Sequence, residues 1–201
     1  KLGNIKFFPP TYLSDEIIFQ QLAKGIYYRP NKLQDFNSTL LSNIAEVIST
    51  LSSLKRNEIN VTNYIANMDL SKVKAEDPLN SKIIYNFIFF LKNFSSENII
   101  TTLTHGDFKF EHLFILDNKL EYVVDWENIG LRSILFDLLN FFVPWFVNRS
   151  YNYSHIKNYI HKFIKDYLPH LKDFIQDKYD IYFAIYGLER YLRLSSARSS
   201  E

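Results

Sequence analysis

Thr104-His-Gly-Asp-Phe-Lys-Phe-Glu-His112 is followed, one hairpin later, by Val123-Val-Asp-Trp-Glu127. Between them the two stretches set out an ordered series of polar groups. Asp107 stands in a loop after a helix, His112 five residues on, and Asp125 at the end of the next strand. Gly106 permits a tight backbone just before Asp107. Leu113–Leu116 and Leu120–Val124 alternate around Asp117-Asn118-Lys119, which is a hairpin signal.

Two acids flanking a possible metal ligand are what a phosphoryl-transfer site needs: one base beside the attacking hydroxyl, and other groups to hold a metal ion on nucleotide phosphates. Asp107 is the candidate base, with an Asx-turn as its structural alternative. His112 is a candidate metal ligand, or a histidine packed under the hairpin. Asp125, at a strand end, suits a metal ligand facing a cleft, or simply forms a turn. Glu127 adds to the metal shell, recognises substrate or is solvated. Lys109 neutralises a transferring phosphoryl group or is solvated. Asp137 sits on an otherwise apolar helix and has to be paired; the backbone of the His-Gly-Asp loop is a suitable partner. His105 and Asp137 therefore read as structural support for the loop. His155, His161 and His170 read as structural or solvated, and the aromatic residues of 151–191 as core.

Composition narrows the class. The chain has 201 residues, 47% hydrophobic and 17% aromatic, enough for one sizeable core and too apolar for disorder. A net charge of +1 gives no global field for nucleic acid or an anionic membrane. Cysteine is absent, which fits a reducing compartment. No signal peptide pattern opens the chain, and Ile83–Leu91 and Ile134–Val147 are too short or too interrupted for the ~20 residues of a membrane span. The first residue is Lys rather than Met, as in a fragment or a processed product.

Along the chain, 4–8 and 16–22 read as strands, the first ended by Pro9-Pro10. Leu40, Leu41, Ile44, Val47, Ile48, Leu51 and Leu54 recur at helical spacing, with Asp35 or Ser38 as cap. A weaker helix is expected within 61–70 and a charged loop over 71–78. Leu79–Phe94 is apolar on most faces, and a central helix is expected there. Ile134–Val143 reads as a helix ending at Pro144. The spans 154–168 and 171–194 read as the last helices, with a frayed tail after them.

At the quoted residues the chain resembles the aminoglycoside phosphotransferase/choline kinase superfamily, which has a protein-kinase-like fold. The family pattern is His-Gly-Asp, four residues, Asn, a strand ending in Ile-Asp-Trp or Ile-Asp-Phe, then Asp-Leu on a helix. Here it reads His105-Gly106-Asp107, His112, Val124-Asp125-Trp126 and Phe136-Asp137-Leu138. His112 departs from the usual Asn, as it does in some aminoglycoside phosphotransferases. The resemblance implies an α+β, mainly helical fold: a kinase-like C-terminal lobe over 26–201 with a catalytic-loop hairpin. Residues 1–25 would be a remnant of the N-terminal lobe, its last two strands and hinge. It implies Asp107 as base, assisted by Lys109, with His112 and Asp125 on Mg2+. The co-substrate would be ATP or GTP, its adenine met by the backbone of Gln21 and Ala23 and covered by Phe114 and Val124. The acceptor would be a small-molecule hydroxyl: an aminoglycoside, a choline-like alcohol or a sugar. The setting would be cytoplasmic.

The family's phosphate-covering loop, strand lysine and paired glutamate have no counterpart here, and none of the five glycines forms a phosphate cradle. A non-catalytic kinase-like binding module is thus the alternative. A metal-dependent hydrolase lacks a second cluster of histidines and carboxylates.

Overall fold

The computed structural model describes residues 7–8, 11–14, 17–20, 26–27, 35–68, 70, 78–175 and 177–197. Near the start, β1 (Thr11–Ser14) pairs antiparallel with β2 (Ile17–Gln20). Among the described residues the first strand thus follows the proline pair; Phe7 and Phe8 form a turn, and residues 4–6 of the strand expected over 4–8 lie outside the described residues. The Phe7 carbonyl accepts the Val123 N–H at 2.8 Å, so this turn lies against the later hairpin. β3 (Ile26–Tyr27) also pairs with that hairpin.

α1 (Ser38–Leu54) buries Leu40, Ile44, Val47, Ile48 and Leu51, the stripe its periodicity predicts. Its cap is Asn37, not Asp35 or Ser38: Asn37 Oδ1 accepts the Leu40 N–H at 2.8 Å. β4 (Arg56–Asn60), too short and polar to be read from sequence, leads into α2 (Val61–Ala66). α3 (Pro78–Lys92) begins on its proline, the favoured first position. Residues 71–77 of the expected loop lie outside the described residues.

α3 is not the central helix. Tyr85 is 69% and Phe89 74% exposed, because the helix packs mainly on one neighbour, α7 (Tyr179–Ala197). The centre is α4 (Phe136–Val147), which buries Phe136, Leu138, Leu139, Phe141, Phe142, Trp145 and Phe146. Pro144 does not stop it. The following turn is held by ring packing, Phe142 lying 5.0 Å from Tyr159 and 5.3 Å from Phe163 of α5 (Tyr153–Tyr167), and Phe146 4.9 Å from Tyr159. The last helical region is divided by a 3-10 turn at Pro169–Leu171 and the short α6 (Lys172–Ile175).

β5 (Asn98–Thr104) is the middle strand of a three-stranded antiparallel sheet, β4-β5-β8, with β8 at Gly130–Ser133. β6 (Leu113–Leu116) and β7 (Lys119–Val123) form the expected hairpin beside β3. Its turn residues Asp117 and Asn118 have φ of 50° and 61°, which Asp and Asn tolerate. The loop between β5 and β6 thus joins two small sheets above α4. The Tyr182 hydroxyl, in the first turn of α7, accepts the Ile100 N–H of β5 at 2.9 Å, and Arg193 near the other end of the helix reaches the loop at Gly106. No described helix is long and apolar enough to cross a membrane.

Candidate active site

The loop after β5 is built around one buried carboxylate. Asp137, in the first turn of α4, accepts the His105 N–H on Oδ2 at 2.6 Å and the Gly106 N–H on Oδ1 at 3.0 Å. Burial pushes its carboxyl up to about 6, against the pull of these two bonds and of Arg132. Gly106 has φ of +84°, and a β-carbon there would lie 2.2 Å from the Asn128 carbonyl. Only glycine fits. His105 is fully buried, its ring 4.5 Å from that of Trp126. Its Nε2–H donates to the Val124 carbonyl at 2.9 Å, and Nδ1 accepts the Asp107 N–H at 3.3 Å. Burial lowers its pKa to about 4, so the ring is neutral and its tautomer is fixed by its partners. His105 is a brace between the loop and the hairpin.

Asp107 emerges from this frame with its carboxylate between cations. Lys109 Nζ lies 2.7 Å from Oδ2, and Arg193 Nη1 lies 3.6 Å from Oδ1. Burial raises the carboxyl, but the Lys109 hydrogen bond and charge, with Arg193 and His112, outweigh it and hold Asp107 below the usual carboxylate range. Asp107 is therefore ionised at neutral pH and able to accept a proton. Arg193 Nη1 also donates to the Gly106 carbonyl.

His112 Nδ1 is 2.8 Å from the Asp107 carbonyl and donates its proton there. The other nitrogen, Nε2, lies 2.9 Å from Asp125 Oδ2 and 3.9 Å from Asp107 Oδ2. Ligand atoms of Asp107, His112 and Asp125 all fall within 4.8 Å of one another. With Nδ1–H committed, Nε2 is the nitrogen left to face the two carboxylates. Acceptors converging in this way call for a positive charge between them, and two carboxylate oxygens with one imidazole fit a divalent cation. Asp125 has φ of 65° and ψ of 55°, the left-handed region that Asp tolerates, just before the 3-10 turn at Trp126–Asn128.

Residues 99–170 match the model of the phosphotransferase enzyme family. Among solved structures, choline kinase LicA from Streptococcus pneumoniae superposes with a TM-score of 0.60 at 16% identity, over 100% of this chain and 70% of that one. The chain shares the fold of that choline kinase. Macrolide 2'-phosphotransferase MphH from Brachybacterium faecium has a TM-score of 0.54 at 14% identity, over 98% of this chain and 75% of that one. A thermostable mutant of aminoglycoside phosphotransferase APH(4)-Ia, in ternary complex with AMP-PNP and hygromycin B, gives 0.50 at 15%, over 98% and 81%. No curated protein sequence matches significantly.

Within this fold, Asp107, Lys109, His112 and Asp125 converge at one place, and His105 and Asp137 sit behind them. Glu127 does not join the group: it is exposed and only 3.5 Å from Asn128 Nδ2. Phe114 and Val124 lie half-buried on the hairpin. Gln21 and Ala23, assigned to the hinge, lie outside the described residues. Sequence reasoning missed Arg193, and Arg132, which ties the loop to β8 by donating to Thr104 Oγ1 at 2.9 Å and the Asn128 carbonyl at 3.0 Å. Arg190 and Arg193 stand three apart on an amphipathic helix, a paired-cation spacing that is readable once the helix is assigned.

Proposed function

We propose that the chain carries the catalytic and acceptor lobe, over 26–201, of a nucleotide-dependent phosphotransferase that acts on a hydroxyl of a small molecule. The observation that carries this reading is the convergence of Asp107, His112 and Asp125, with ligand atoms within 4.8 Å, beside the ammonium of Lys109. Asp107, ionised and held by Lys109 and Arg193, accepts the hydroxyl proton as the phosphoryl group arrives. Lys109 offers its charge to the phosphoryl oxygens. His112 and Asp125, with Asp107 beside them, hold the divalent ion. A bound Mg2+ supplies charge neutralisation at the nucleotide phosphates. Phe114 and Val124 cover one face of the base of ATP or GTP, and a nucleoside triphosphate as co-substrate points to the cytoplasm.

The test uses the full-length protein with ATP or GTP, Mg2+ and a panel of aminoglycosides, choline-like alcohols and sugars. Phosphorylation of an acceptor by the wild type, and its loss in Asp107→Asn, is the expected result. Tight nucleotide binding with no transfer to any acceptor would instead make the lobe a binding module.

A further inference from the structure

A cavity of about 340 Å³ opens beside Lys109, bounded by Lys109, Glu111, Asn140, Trp145, Arg149 and Arg190. It begins one hydrogen bond from Asp107, through the 2.7 Å contact of Lys109 Nζ with Oδ2. We propose that this cavity is the acceptor subsite, and that it takes a small alcohol carrying an anionic group, a carboxylate or a phosphate. The proposal rests on phosphoryl transfer at Asp107 and names its acceptor class.

Charge comes first. Three of the four charged side chains around the cavity are cationic, and the one acid, Glu111, is exposed. Arg193 adds a further guanidinium one turn from Arg190 and 3.6 Å from Asp107 Oδ1. A polyamine acceptor would need carboxylates facing its ammonium groups, and here it would meet like charge. The aromatic lining excludes a quaternary ammonium on different grounds. Such a cation is held by open ring faces. Trp145 is buried, and the Arg149 guanidinium carbon sits 4.2 Å from its ring centroid; Phe110 and Phe141 are buried as well. The aromatic face that would receive a choline-like head already carries an arginine.

The remaining polar groups suit a hydroxylated anion. Arg149 is oriented by its ring contact and by donation from Nη1 to the Trp145 carbonyl at 3.3 Å. A guanidinium fixed in plane is prepared for two-point binding of carboxylate or phosphate. Asn140 is buried on α4. Its Nδ2 donates to the Phe108 carbonyl at 3.1 Å, while Oδ1, a buried acceptor in the cavity wall, has no partner among the described residues. The volume is at the small end of ligand sites, roughly 300–1,000 Å³. A larger cavity of about 810 Å³ between α3 and α7 touches no residue of the loop, and its Lys157 and Tyr153 are already paired with Asp180.

In the transfer step the acceptor oxygen forms the new bond to the γ-phosphorus. The bond from that phosphorus to the β–γ bridging oxygen breaks, the hydroxyl proton passes to Asp107, and the nucleoside diphosphate leaves.

The experiment is calorimetric titration of the full-length protein, with Mg2+ and a non-hydrolysable ATP analogue, by D-glycerate and glycerol 3-phosphate against choline and kanamycin. The two anions separate carboxylate from phosphate as the recognised group. At least one anion is expected to bind. Arg149→Gln and Arg190→Gln are each expected to weaken it by about tenfold or more, with the affinity of the nucleotide analogue unchanged, which also shows that both variants fold. Failure of both anions to bind, or equal binding in both variants, overturns the proposal. So does a loss of nucleotide affinity in the variants, which would assign the arginines to the γ-phosphate. Anion binding without transfer to any acceptor would keep the subsite and sink the phosphotransfer reading. Transfer to choline or kanamycin alone would do the reverse.

Discussion

His112 Nε2 faces Asp125 Oδ2 at 2.9 Å, with its opposite nitrogen fixed by the Asp107 carbonyl. The imidazole is a softer donor than the amide oxygen of the family's usual Asn, and Mg2+ favours all-oxygen sites. Manganese(II) is therefore expected to bind more tightly than Mg2+. Manganese EPR titration and metal-induced change in Tm measure it. His112→Asn should shift the preference toward Mg2+; an unaltered manganese-to-magnesium ratio in that variant would remove His112 from the metal shell.

Asp107→Asn keeps the shape of the side chain and removes the proton acceptor. Its kcat is expected to fall by about 10²–10⁴. Asp107 is buried, but the amide keeps an oxygen for the Lys109 hydrogen bond, so Tm should fall by only a few degrees. Single-turnover kinetics beside a thermal melt separates the two effects. A kcat within about threefold of wild type would place the base elsewhere.

The His-Gly-Asp loop and the hairpin are legible in the sequence because their information is local. Gly106 is needed for φ of +84°, Asp117 and Asn118 suit the hairpin turn, and Asp137 is an acid on an apolar helix that has to find a partner. The long-range part is not legible. Arg193 reaches the loop from 87 residues past Gly106, and its spacing from Arg190 on α7 shows a shared face but not what that face meets. Which apolar helix lies inside is equally hidden. The α3 and α4 sequences are both apolar on most faces, and only packing shows that α4 is enclosed while Tyr85 and Phe89 of α3 face outward. Pro144 misleads for the same reason, since aromatic packing beyond it outweighs one lost helical hydrogen bond.

Asp137 should govern the loop without touching substrate. In Asp137→Ala the buried N–H groups of His105 and Gly106 both lose their acceptor, at about 1–3 kcal/mol each. A urea midpoint lowered accordingly is expected, along with a loss of kcat. Asp137→Asn retains one acceptor oxygen and should fall between alanine and wild type. Gly106→Ala, which drives a β-carbon to 2.2 Å from the Asn128 carbonyl, should be as damaging as Asp137→Ala. A Gly106→Ala protein of wild-type stability would contradict the positive φ.

Glu189 makes a prediction about pH. It lies on α7 with its carboxyl buried, the Tyr64 hydroxyl donating to Oε1 and Oε2 having no partner among the described residues. Burial pushes its pKa up to about 7, against the Tyr64 bond and Arg132 and with the help of Asp137, while Asp137 itself is pushed up to about 6. A carboxyl raised above its unfolded value stabilises the fold in its protonated form. Its contribution is full below the unfolded pKa and is lost as pH rises through the folded one. Asp107 and Asp180, both held low, act with the opposite sign and only as pH falls below about 4. Buried His105, held neutral, opposes this below its unfolded value of about 6.5, but two raised carboxyls outweigh one histidine, so the urea midpoint should rise as pH is lowered from 8 to about 4 and then fall. Glu189→Gln cannot ionise. It should be more stable than wild type at pH 8, by roughly 2 kcal/mol, and should lose most of the slope between pH 8 and 6. Equal slopes in the two proteins would mean that the Glu189 carboxyl titrates as an exposed group.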